Sequence, residues 1–85
     1  MAFKETQFSG SIASRDDFVA FLEWLKADFK REKWDNDDLR SYLSAMGRFA
    51  MDIDGHYIHM KKQVDLEKPT WQTFADILIA ARVYD

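Results

Sequence analysis

Three apolar stripes at helical spacing, the first two parted by one short aspartate-rich link, leave this chain few folds to choose from. Phe18, Phe21, Leu22, Leu25 and Phe29 fall at i, i+3, i+4, i+7 and i+11, the recurrence that lines one face of an α-helix. Leu39, Tyr42, Leu43, Met46, Phe49 and Ala50 repeat that spacing, and Trp71, Phe74, Ile77, Leu78, Ala81 and Tyr84 do so over a broader face. Between the first two lies Trp34-Asp35-Asn36-Asp37-Asp38, which closes one helical segment and opens the next. The pattern predicts a mainly α, three-helix single domain around one core.

Start and stop signals bound the helices. The Ser14 hydroxyl is placed to accept a first-turn amide, Asp17 takes the reciprocal part of a capping box, and Ala13 and Phe18 hold the hydrophobic-staple positions. The first helix is therefore expected over residues 15–31, with Lys26, Lys30, Arg31 and Lys33 towards the negative end of its dipole. Asp35 or Asn36 is the expected cap of a second helix over 37–53, with Asp37 and Asp38 in its first turn and Asp54-Gly55 as its stop. Gly47 inside it reads either as close helix packing or as a tolerated surface glycine. Pro69-Thr70 starts the third helix, whose breadth implies burial against both others.

His56-Tyr57-Ile58-His59-Met60 is rich in β-formers and reads as a short strand. Its natural partner is the arm of residues 1–13, near Phe8 to Ile12, so one short two-stranded β pairing is left open beside the helical domain of residues 14–85. Trp34, Leu43 and Trp71 are the expected core anchors. Trp24 lies off the centre of its stripe and is either a flank contact or a surface aromatic.

Charge and composition narrow the function. The net charge is −3, with the whole excess of acid before residue 55, and no portion offers the basic face that nucleic acid requires. Absent cysteine excludes disulfides and zinc-thiolate sites and fits a cytoplasmic location. The amino terminus lacks the apolar run of a signal peptide, and no segment reaches the roughly 20 apolar residues that cross a bilayer.

Catalytic signatures are lacking as well. His56 and His59 would point to opposite faces of a strand, which spoils them as metal ligands. Ser41 and Ser44 have no activating partner, and no glycine-rich phosphate loop occurs. Neither catalytic, cofactor nor metal residues are expected. What remains is a protein-binding surface, with the acids Asp35, Asp37 and Asp38 as its charged part. Surplus aromatic residues, Trp24 with Tyr57 or Trp34, form its apolar part. The same features fit a homo-oligomeric structural or scaffold protein, with a nucleic-acid-associated regulator as a more distant alternative.

The order Ser14-x-x-Asp17-Phe18-x-x-Phe21-Leu22-x-x-Leu25, then Trp34-x-Asn36-x-x-Leu39-x-x-Tyr42-Leu43-x-Ala45-Met46, then Pro69-Thr70-Trp71-x-x-Phe74-Ala75-x-Ile77-Leu78-x-Ala80-Ala81-x-x-Tyr84, resembles a family of small bacterial proteins of unknown function. The resemblance runs over residues 14–85 and consists of caps and core anchors. Phe49 departs from it, standing where relatives often carry tryptophan. Small acidic proteins of this kind are often found beside toxins, so the resemblance implies an immunity or antitoxin role, a non-catalytic inhibitor of a basic toxin.

Overall fold

A computed structural model describes residues 11–85. Among these residues there are three helices: α1 (Arg15–Arg31), α2 (Leu39–His59) and α3 (Trp71–Ala80). The two longer helices both pack on α3. This is the arrangement that the broad apolar face of the third stripe requires, since a helix buried on two sides needs apolar residues through more of its circumference.

α1 keeps its expected bounds. Ser14 Oγ accepts the Asp17 amide at 3.1 Å, while Asp17 Oδ2 reaches back to the Ala13 amide at 2.9 Å, one residue before the usual capping-box position. α3 starts on a complete capping box between Thr70 and Thr73.

α2 departs from expectation at both ends. Asp38 is its cap, accepting the Ser41 amide at 2.8 Å, so Asp37 and Asp38 precede the helix and no acid stands in its first turn. Asp35 and Asn36 lie further back. At the other end the helix runs through Gly55 and the expected strand at 56–60, as far as His59. Phe49, Ile53 and Tyr57 are buried at successive i+4 positions, and continuing that stripe against α3 outweighs the β propensity of the local sequence. No strand occurs among the described residues, so the β pairing is not formed at 56–60. The arm residues 1–10 lie outside the described residues.

Two apolar clusters flank α3. Ile12, Phe21, Leu25, Trp34 and Ala75 form one with α1, and Phe49, Ile53, Tyr57 and Ala80 form the other with α2. Trp34 is the core anchor expected of it, but Leu43 is 54% exposed and Trp71 38%. Leu43 lies one position beyond Tyr42, whose side chain is the one turned in, with its hydroxyl donating to Leu78 O at 2.6 Å. Trp71 caps the open end of α3, its ring against Phe18 at 5.3 Å.

A buried polar clasp joins the chain's middle to its end. Asp28 is wholly buried at the centre of the α1 stripe. Its Oδ2 accepts both the Trp34 indole N–H at 3.0 Å and the Arg82 guanidinium at 2.8 Å. Asn36, rather than capping α2, donates its amide nitrogen to the carbonyls of Ala81 at 2.9 Å and Tyr84 at 3.0 Å, and its backbone N–H to Arg82 O.

Candidate functional site

The clasp fixes the link between α1 and α2, and with it a groove on the outer side. Trp34 is its floor. Held through its ring N–H by Asp28, the indole meets Phe29 edge-on with centroids 5.0 Å apart and lies 5.2 Å from Tyr42 at a 33° tilt. Asn36, Asp37, Asp38 and Leu39 complete a cavity of about 230 Å³. Its sides are therefore aromatic and aliphatic, and its rim carries two carboxylates.

The apolar lining does not stop at the groove. Leu39 is 72% exposed and Phe29 48%, and Leu43 stands one helical turn beyond Leu39 on the same side of α2. Isolated exposed leucines are ordinary on a protein surface, whereas here Leu39, Leu43 and Phe29 stand exposed beside an aromatic cavity.

The rim carboxylates differ in state. Asp38 is engaged by the Ser41 amide and hydroxyl, and the amide bond foremost holds its carboxyl below the usual carboxylate range. Asp37 has no hydrogen bond or ion pair among the described residues, so its charge faces outward uncompensated. Burial pushes the Tyr42 phenol up to about 12, so its hydroxyl remains a neutral donor to Leu78 O through the physiological range.

Of the residues expected to bind a partner, the structure brings Asp37 and Asp38 into this groove and leaves Asp35 exposed beside it. Trp24 is half-buried elsewhere, stacked on Phe21 at 5.9 Å as part of the α1 cluster. Tyr57 is 4% exposed and donates its hydroxyl to Asp76 at 2.6 Å, so it cannot serve as a surface aromatic, and Trp34, 8% exposed, lines the groove from below. Sequence spacing missed Phe29 and Leu39 as surface residues by treating them as core. For Phe29 the buried strip of α1 runs through Phe21, Leu25 and Asp28, at i, i+4 and i+7, which leaves Phe29 at its edge, and a charged residue at 28 gives spacing no sign of this.

His56 and His59 lie in α2 rather than in a strand, where a spacing of three puts them on one side of the helix, and His56 packs its ring on Phe49 at 5.2 Å. Among the described residues no group of three or more His, Cys, Asp or Glu could hold a metal ion. No helix there is long and apolar enough to cross a membrane.

A family of unknown function, DUF7660, matches residues 14–85, the same stretch over which the caps and anchors resemble a known pattern. The chain belongs to this family. No curated protein and no solved structure matches it. Within the matched region lie all three helices, the clasp and the groove, so the surface described above is built entirely from the family domain.

Proposed function

We propose that the protein is a non-catalytic binding module that docks a protein partner on the face formed by Phe29, Leu39 and Leu43. The observation that carries this reading is the exposure of those three side chains around a cavity whose walls are held rigid by buried contacts. Preformed apolar surface lowers the ordering cost of association, and large side chains beside a pocket are where binding energy concentrates. The acidic rim favours a basic partner, since opposite charge speeds encounter. A basic toxin held inactive by this protein is the specific form of that partner we put forward.

Copurification from the native cell, followed by titration of the purified partner, tests the reading. Replacing Leu39 and Leu43 together by aspartate should weaken the reconstituted complex roughly 30-fold or more, the scale of a hot-spot loss. An unchanged affinity would refute it.

A second reading is favoured by a separate observation. The outer side of α2 carries two further large apolar residues, Met51 at 82% and Ile58 at 74% exposed, and a Cβ added at Gly47 or Gly55 would meet nothing within 4 Å. Two copies packed antiparallel along α2 would use this side, the large residues of one set against the glycines of the other. Sedimentation equilibrium separates the readings: Met51→Glu with Ile58→Glu would abolish such a dimer and leave the groove intact.

A further inference from the structure

The groove has a chemistry more particular than an apolar docking surface. Phe29, Trp34 and Tyr42 present three aromatic rings to one cavity, and every charged residue lining it, Asp37 and Asp38, is an acid. Lys33 and Arg40 are neighbours in sequence but do not line it. Aromatic faces carry the negative part of a quadrupole and attract cations within about 6 Å of the ring. Carboxylates at the mouth would be desolvated without return by an apolar occupant and would repel an anion.

We propose that this groove receives a cationic side chain, arginine or lysine, of the docked protein. The inference rests on the reading of this face as a docking surface and adds what its centre recognises. A volume of about 230 Å³ is below the roughly 300 to 1,000 Å³ of small-molecule sites and suits one side chain. Asp37 is the ion-pairing group, since Asp38 already caps α2. Phe29, 48% exposed, supplies the open ring, while Trp34, 8% exposed and packed by Phe29 and Tyr42, backs the cavity and is fixed by the bond from its N–H to Asp28 at 3.0 Å. The site is thus set in place by the clasp before any partner arrives.

The test uses the isolated protein, labelled with nitrogen-15 and titrated with N-acetyl-arginine methylamide and N-acetyl-lysine methylamide. The neutral citrulline analogue serves as the control. Saturable shifts are expected at the Trp34 indole N–H and at the Asn36, Asp37 and Leu39 amides with at least one cation, and not with citrulline. Asp37→Asn should weaken that binding about two- to five-fold, the scale of one exposed ion pair. Phe29→Leu should weaken it by a similar factor through the lost ring, and both variants should retain the wild-type amide spectrum away from the groove. Equal shifts from citrulline, or no saturable shift from either cation, would overturn the cation site. If a partner still docks through Leu39 and Leu43 in that case, the docking reading stands without it. Cation binding with no docked protein would instead uphold the site and remove the docking reading.

Discussion

Asp28 accepts two donors on one buried oxygen, so a single carboxylate ties α1 to Trp34 in the link and to Arg82 after α3. Removing Asp28 leaves the buried Arg82 charge uncompensated, at a cost of about 3 to 5 kcal/mol, whereas without Arg82 the carboxylate keeps Arg31 at 3.7 Å from its other oxygen. In urea melts Asp28→Ala should approach that loss and Arg82→Met should cost less, while the double replacement should cost clearly less than their sum. Additive losses would mean that the two side chains do not interact. Tyr42 makes a prediction in pH. Its folded value is raised to about 12 from an ordinary 10.0, and Tyr57 is also raised, by burial first and then by Asp76. A raised folded value means that stability is full below the unfolded value and is lost as pH rises through the folded one. The urea midpoint should therefore be lower at about pH 11 than at about pH 9, and Tyr42→Phe should reduce that difference. At this scale the sequence showed caps well, Ser14 and Thr70 among them, because a cap depends on its immediate neighbours. The clasp was not legible, because Asp28 and Arg82 are 54 residues apart and nothing local pairs them.

The helices themselves were readable from apolar spacing, and their ends only where the signal was chemical and local. Asp54-Gly55 carries the residues of a stop, yet tertiary burial of Tyr57 carries α2 past it. The stop falls instead at Lys61, which takes the left-handed conformation with φ 58°, while its amide bonds to Ile58 O and that of Lys62 bonds to Tyr57 O. These two bonds form a Schellman motif with lysine where glycine is usual. Two substitutions follow from this displacement. Gly55→Ala fills open space inside a helix and should stabilise the domain by about 1 kcal/mol. Lys61→Gly relieves a left-handed lysine and should stabilise by about 1 kcal/mol. Thermal melts read both, and a loss of stability at either position would contradict the assigned end of α2.

For the whole molecule, α3 is shared between two apolar clusters, which leaves the outer side of α2 without a partner among the described residues. Core and surface are divided accordingly. Trp34→Ala should cost roughly 3 to 5 kcal/mol, while Leu43→Ala, in a half-exposed position, should cost under about 1 kcal/mol. Comparable losses at both would place Leu43 in the core after all. Spacing alone could not separate these two residues, since a helix face wider than its buried strip looks the same in sequence as one fully covered. The central claim is that the exposed end of this face docks another protein. Its most direct measurement places a photo-crosslinking residue at position 39 in the native cell, with position 51 as the comparison. A discrete adduct with a different polypeptide is expected at 39 and none at 51. Excess unlabelled protein should compete that adduct away, and the Leu39→Asp, Leu43→Asp variant should not. No adduct at 39, or equal adducts with a second copy of this chain at both positions, would contradict it.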